Sequence, residues 1–393
     1  MKRWLTRDVL LISLSAFFAD AGYQVLIAGF PIFLVLYLKA PVYYLGIAMA
    51  LAYGIGSVFA YYGGMLADRH GKKKIALLGN ILIPVLSFTG FASFAAEATA
   101  IFSAGWWARN FRTPARRAMI GDISRKLDKP KVYGFLNALD VGGGVIAVAY
   151  LSIGIYLGIA LKLIFLATAI PILISSLCLF LVSYKGLPGR GKGNIKAAKK
   201  ASKAVKSARA KIGAYRGVIL ATGIYGLSFY SLSFPVLTIA QQSTDLYGVL
   251  SYAVFLLVSA VFGYVAGVLA KKMVRNLAIF GYFLAGVGSL IIGLSYHFGL
   301  GVLVSYLGIF VIGVAVGAIE TLEPTIISLV RSRTNSGSGM GALTSSRSIG
   351  LFAANIALGF LYVLGPLYAY GFAAAMAMLA GIVLLGFGSK SKI

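Results

Sequence analysis

Acidic residues are scarce in this chain: ten Asp and Glu stand among 393 residues, against 36 Lys and Arg. Charged residues of both signs reach only 12%, and an average soluble domain carries about twice that share, so a water-facing surface is not available to this sequence. Cysteine occurs once, as Cys178, which excludes a disulfide framework. Two histidines, His70 and His297, far apart in sequence, leave no metal-ligand cluster to expect. No nucleophile stands beside a matching base, and neither HExxH nor a dinucleotide fingerprint occurs, so the sequence reads as no enzyme and implies no cofactor and no metal. What is abundant is apolar: 60% hydrophobic residues, with 48 glycines, 25 phenylalanines and 23 tyrosines.

A bilayer core about 30 Å thick needs roughly 20 apolar residues of helix to cross it. Such runs recur at 9–38, 43–67, 75–95, 99–120, 131–153, 159–184, 215–240, 247–270, 275–297, 300–330, 341–363 and 365–388. Barrel strands would alternate polar and apolar residues, and Val9 to Phe18 or Ile279 to Leu294 do not. The predicted fold is an all-α polytopic membrane protein of twelve transmembrane helices. The basic start (Lys2, Arg3, Arg7) resembles a signal peptide, but its apolar run continues to Leu38 with no small-residue cleavage site, which predicts a first membrane helix.

The basic residues are not evenly spread. With the N-terminus inside, 29 of the 36 fall on cytoplasmic segments, Lys39 and Lys162 fall outside, and five arginines remain within spans. The positive-inside rule then predicts a multi-pass protein of the cell membrane with both termini cytoplasmic. This distribution removes the main support for nucleic-acid binding, since most of the +26 net charge is an orientation signal. Eleven basic residues and no acid lie between Lys185 and Arg216. Within it, residues 195–212 place Lys196, Lys199, Lys200, Lys203, Lys206 and Arg209 at three- and four-residue spacing, which fits a helix lying on the anionic inner leaflet. A solvated linker is the alternative. Gly186, Gly191 and Lys192 match the start of a P-loop, but Gly193 stands where Ser or Thr is required and no strand precedes it.

That connector divides the runs six and six, with predicted boundaries 1–184, 185–214 and 215–393. The halves echo one another: Gly22, Phe30 and Pro31 match Gly226, Phe234 and Pro235; GMLADRHGKKK from Gly64 lies over GVLAKKMVRN from Gly267; Pro114 matches Pro324. Six spans per copy give both the same orientation, which predicts two parallel-repeat six-helix bundles.

Gly64, Asp68, Arg69, Gly71, Lys72 and Lys73, between the second and third spans, resemble the major facilitator superfamily signature G-x-x-x-D-R-x-G-R-K, with Lys72 for the usual Arg. The second copy has Lys271 where Asp68 stands, so the signature's gating chemistry carries over to the first half only. RNFRTPARRAMIGDIS from Arg109 and YGFLNALDVGGG from Tyr133 are similar to a prokaryotic branch of that superfamily consisting mostly of drug or metabolite exporters. The resemblance implies that spans 1, 4, 7 and 10 line a central path.

Ionisable groups within a bilayer are costly and default to functional candidates. Nine occur here: Asp20, Asp140, Glu320, Glu323, Arg109, Arg112, Arg116, Arg117 and Arg347. Asp20, Arg109, Arg112, Glu320 and Glu323, with Tyr225 and Ser228 and further polar contacts from Tyr230 and Ser231, are the expected substrate or proton-coupling set. Arg109, Arg112 and Arg116 share one face of span 4 at i, i+3, i+7, able to bind an anion or to hold carboxylates. The alternative is structural, with Arg112 or Arg116 locking span 4 to Glu320, Glu323 or Asp122. Asp20 is the expected proton carrier, with a fixed salt bridge to Arg109 as its alternative. Asp140 and Arg347, at equivalent places in the repeat, are expected to pair across the halves. Gly64, Asp68, Arg69, Gly71, Lys72, Arg116 and Asp122 form the expected cytoplasmic gate. Gly142 to Gly144, Gly313 and Gly317 predict close helix packing, and Pro31, Pro114, Pro235 and Pro324 predict bends.

The sequence-based expectation is a monomeric secondary active transporter of a small solute, working by alternating access and proton-coupled, with export by antiport implied by the branch resemblance. An uncoupled facilitator or anion exchanger using Arg109 and Arg112 is the first alternative, and a non-transporting membrane receptor or scaffold the second.

Overall fold

The computed structural model describes residues 4–124, 129–184, 204–228, 232–330 and 336–387. Tyr230, Ser231 and residues 195–203 of the basic segment lie outside these. Among the described residues the regular elements are all helical. In chain order they are α1 (Arg7–Tyr37), α2 (Val42–His70), α3 (Lys72–Phe91), α4 (Ala95–Ile123), α5 (Lys129–Tyr156), α6 (Leu161–Phe180), α7 (Ala204–Ser228), α8 (Ser233–Gln242), α9 (Asp245–His297), α10 (Val302–Val330), α11 (Ser336–Leu364) and α12 (Pro366–Gly386).

Local chemistry accounts for the boundaries. Thr6 opens α1 by accepting from the Val9 amide at 3.3 Å, with Asp8 in the positive first turn. Pro31 lacks an amide hydrogen, and the helix widens to a π-type turn over Phe33–Tyr37 just beyond it. Gly71 separates α2 from α3 with φ of 100°, a conformation costly for any side chain. Lys73 donates to the carbonyls of Phe180 and Val182 at 2.8 and 2.7 Å, capping the end of α6.

Among the described residues, eleven segments are long and apolar enough to cross a membrane. The twelfth expected span, 99–120, is α4: at 29 residues it has the length, but Arg109, Arg112, Arg116 and Arg117 remove it from the apolar set. Spans 8 and 9, expected with a break between them, share the single 53-residue helix α9. The reason is compositional. Gly71 ends α2 in the first half, whereas 270–276 (AKKMVRN) contains neither Gly nor Pro and is rich in helix formers.

Two compact units result. One comprises Met1–Gly189 with Leu232–Leu256, the other Arg190–Ser231 with Leu257–Ile393. In the first, Val9, Ile12, Ala16, Ala115, Met119, Leu136 and Leu179 bring α1, α4, α5 and α6 into one core. In the second, Ala221, Tyr225, Ala278, Tyr282, Ile319 and Leu384 join α7, α9, α10 and α12. Side chains such as Tyr61, Leu303 and Tyr264 are more than 70% exposed, an exterior suited to lipid.

Small residues set the helix spacing. A Cβ at Gly143 would lie 2.3 Å from the Phe17 carbonyl oxygen, so α5 approaches α1 backbone to side of backbone. In the second unit a Cβ at Gly350 would lie 2.3 Å from the Gly223 oxygen, and one at Gly317 2.3 Å from the Ser259 oxygen. Gly142, by contrast, has ordinary room, a Cβ there meeting the Phe17 ring at 3.8 Å. Gly143→Ala is therefore expected to lower stability by about 1–3 kcal/mol through overpacking. Gly142→Ala should be near neutral, and thermal unfolding of both variants in detergent measures the contrast.

Candidate functional site

The arginine face of α4 does not act as one surface. Arg112 is fully buried, with a Cβ that closes on Gly79 of α3, and its Nη1 donates to Asn80 Oδ1 at 2.5 Å. Asn80 in turn donates to Ser175 and Ser176 of α6 at 3.1 and 2.7 Å, and Ser175 donates to the Ser15 carbonyl of α1 at 2.6 Å. Arg112 thus ties four helices together inside the first unit. Sequence reasoning grouped it with the path-facing residues and missed Asn80 and Ser175; a lone amide in an apolar span was the available signal.

Arg109 sits one turn away in an aromatic setting. Its guanidinium carbon is 4.8 Å from the Trp106 ring centre and 5.2 Å from that of Tyr23. Its hydrogen bonds go to neutral oxygens, to Asn110 at 3.3 Å and to the Tyr23 hydroxyl at 3.4 Å. Asp20, only 4% exposed, accepts from Gln24 at 3.1 Å through Oδ1, while Oδ2 has no partner. Gln24 is held by Tyr252, whose hydroxyl donates to Oε1 at 2.7 Å. The fixed Asp20–Arg109 salt bridge considered above is not among the ion pairs of the described residues, although Arg109, Arg116 and Asp140 lie near enough to act on the Asp20 charge.

Arg116, 3% exposed, pairs with Asp140 of α5 at 3.4 Å. In the second unit Arg347 of α11 pairs with Glu323 of α10 and, at 3.5 Å, with Glu320. Glu323 is fully buried and accepts from the Tyr282 hydroxyl at 2.5 Å. Both pairs join positions 24 residues apart, and Arg116 to Glu323, like Asp140 to Arg347, is an offset of 207. Gly143 to Gly350 repeats that offset. The two units therefore carry the same cross-helix ion pair with its polarity reversed. Sequence reasoning paired Asp140 with Arg347; within its own unit each has a different partner, one helix away. Within the first unit Arg116 likewise pairs with Asp140, and no Arg116–Asp122 ion pair is among those of the described residues.

Tyr225 packs on Tyr282 with ring centres 5.0 Å apart, and the Ser228 hydroxyl donates to the Tyr225 carbonyl at 2.8 Å, which occupies it within its own helix. At the signature between α2 and α3, Lys72 meets Asp122 at 2.6 Å and Tyr184 donates to the same carboxylate at 2.5 Å. Burial and that carboxylate together hold the Tyr184 phenol above its ordinary range. Asp68 and Arg69 are exposed, and Asp68 makes no ion pair among the described residues. The expected gate set is thus divided between a Lys72–Asp122–Tyr184 cluster and the separate Arg116–Asp140 pair. A Cβ at Gly64 would meet Pro114 of α4 at an ordinary 3.5 Å, whereas its neighbour Gly63, not singled out from sequence, could take no Cβ: it would stand 2.1 Å from the Phe111 oxygen.

The family model of the Major Facilitator Superfamily matches residues 12–252. Among curated proteins no match is found. The fold is similar to that of solved transporters at low identity. A POT family transporter in complex with 5-aminolevulinic acid is 14% identical with a TM-score of 0.77, covering 98% of this chain and 96% of its own. A D-xylose–proton symporter is 13% identical with a TM-score of 0.76, covering 99% and 100%. The nucleoside transporter NupG is 11% identical with a TM-score of 0.76, covering 97% and 99%.

Asp140→Asn leaves Arg116 buried without its counter-ion and should cost about 2 kcal/mol, below the full loss for a dry pair because Asp140 keeps 22% of its side-chain surface exposed. The swap Arg116→Asp with Asp140→Arg copies the polarity of the other unit and should recover most of that stability, as read from thermal unfolding midpoints.

Proposed function

This chain belongs to the major facilitator superfamily, and from that premise we propose that it is a proton-coupled secondary transporter in which Asp20 carries the coupling proton. The family is one of transporters, so the chemistry to account for is movement of a solute and its coupling to an ion, with no covalent step to assign.

The observation that carries the reading is the environment of Asp20. It lies in the middle of α1, buried, with one oxygen bonded to a neutral amide and the other unpartnered. A carboxylate without an arginine at ion-pair distance can gain or lose a proton without breaking a salt bridge. Nearby charges still bias which form prevails, so solute and helix movements around Arg109 and Asp140 are able to act on it. Asp140, Glu320 and Glu323 are poorer carriers, because each is already committed to an arginine.

The Lys72–Asp122–Tyr184 cluster supports a gating role at the cytoplasmic end, where breaking one ion pair biases a two-state equilibrium by about 1–3 kcal/mol. The distribution of basic residues supports a cell-membrane location with both termini cytoplasmic, and residues 195–212 are suited to the anionic inner leaflet. Export in exchange for protons is the direction implied by the branch resemblance. The monomer is the transporting unit in this reading.

Asp20→Asn removes the titrating group while keeping its shape and its bond to Gln24. In proteoliposomes this variant should retain solute exchange at equal pH on both sides and lose accumulation driven by a pH gradient. Retention of both activities would remove Asp20 from the coupling step, and gradient-independent wild-type flux would make the protein an uncoupled facilitator.

A further inference from the structure

Three arginines and two carboxylates do not cancel. Counted alone, Arg109, Arg112 and Arg116 exceed Asp20 and Asp140 by one positive charge in the first unit, and Arg117 on the same helix adds another. Of the three, Arg116 alone has a carboxylate within ion-pair distance among the described residues, while the hydrogen bonds of Arg109 and Arg112 go to neutral oxygens. Their donors are also unspent. Arg109 Nε, Arg112 Nε and Nη2, and Arg116 Nε and Nη1 are buried and have no acceptor. The equivalent site of the second unit is different in kind, since Arg347 there faces two carboxylates, Glu320 and Glu323. The first unit thus keeps the ion pair of the repeat and adds Arg109 and Arg112 to it, with Asp20 as the one further acid and no ion pair to it among the described residues.

A buried guanidinium with unspent donors is the side-chain chemistry suited to a planar oxyanion, because its N–H groups form a fork that a carboxylate or phosphate can fill with parallel, charge-assisted bonds. Trp106 and Tyr23 flank the Arg109 guanidinium, with ring centres 4.8 and 5.2 Å from its central carbon, which restricts the side chain before a ligand arrives and lowers the ordering cost of binding. We propose that Arg109, beside Trp106 and Tyr23 in the first unit, is an oxyanion site to which Arg112 one turn on adds positive charge, and that the transported solute bears a carboxylate or phosphate group bound there. The substrate class rests on the transport reading above; the anion site itself does not.

The test uses purified full-length protein in detergent, at constant ionic strength, with benzoate against benzamide, nicotinate against nicotinamide, succinate against succinamide, and inorganic phosphate and sulfate. The readouts are the thermal midpoint and tryptophan fluorescence, to which Trp106 contributes. At least one oxyanion should stabilise the protein and change its fluorescence where its neutral amide does not. Arg109→Gln should weaken that binding by about tenfold or more, and Arg109→Lys should retain part of it. Monodisperse elution and an unchanged helical spectrum identify folded variants, and the acid-against-amide comparison on the wild type does not depend on them. Equal response to acids and amides, no response to any oxyanion, or unaltered binding by folded Arg109→Gln would overturn the proposal. Oxyanion binding without flux in proteoliposomes would leave the site standing and overturn the transport reading. Flux of a neutral solute that is indifferent to Arg109→Gln would do the reverse.

Discussion

An ionised side chain inside a bilayer costs roughly 3 kcal/mol even on the most lenient scales, and a partner on a neighbouring helix is the direct way to offset it. In each unit one such partnership recurs between the fourth and fifth helices of the repeat, as Arg116–Asp140 and as Glu323–Arg347. Much else in the molecule follows from accommodating that pair. Beside it in both units, glycines at the equivalent positions 143 and 350 remove the Cβ atoms that would hold α5 off α1 and α11 off α7. Reversal of polarity between the copies shows that what was kept is neutralisation across the helix pair, with either helix able to supply either sign.

Against this balanced background the first unit stands out for what is not neutralised. Arg112 is dissolved in a network of neutral groups, Asn80, Ser175, Ser176 and Ser15, that spreads over four helices. Arg109 rests on aromatic faces, and Asp20 accepts one hydrogen bond from an amide. In the proposed mechanism Asp20 and Arg109 are the groups that change protonation or take a ligand, since neither is held in an ion pair among the described residues. The same reasoning separates Asp20 from Asp140, two aspartates on adjacent helices with different degrees of commitment.

Much of the architecture was legible in the linear chain because it depends on composition over windows of twenty residues. The spans, the two-fold repeat and the signature between α2 and α3 are of that kind. Where the reading strained, the cause was local: α4 is a membrane-length helix that four arginines remove from the apolar set, and α9 continues through the expected turn because 270–276 lacks a breaker. Side-chain partners were far less legible. Helical periodicity correctly put Arg109, Arg112 and Arg116 on one face, but a face of a helix is broad enough for adjacent turns to meet different neighbours, here aromatic rings, Asn80 and Asp140.

The sequence by itself determined that this chain crosses a membrane repeatedly, in two copies of one plan, with its few intramembrane charges as the functional candidates. Those properties follow from hydropathy, spacing and charge counts, which are local or additive along the chain. Only the tertiary structure decided which charges are neutralised and which are left poised. Ion pairing acts over a few ångströms between residues 24 to 50 positions apart, and no periodicity within one helix encodes which neighbour it will meet.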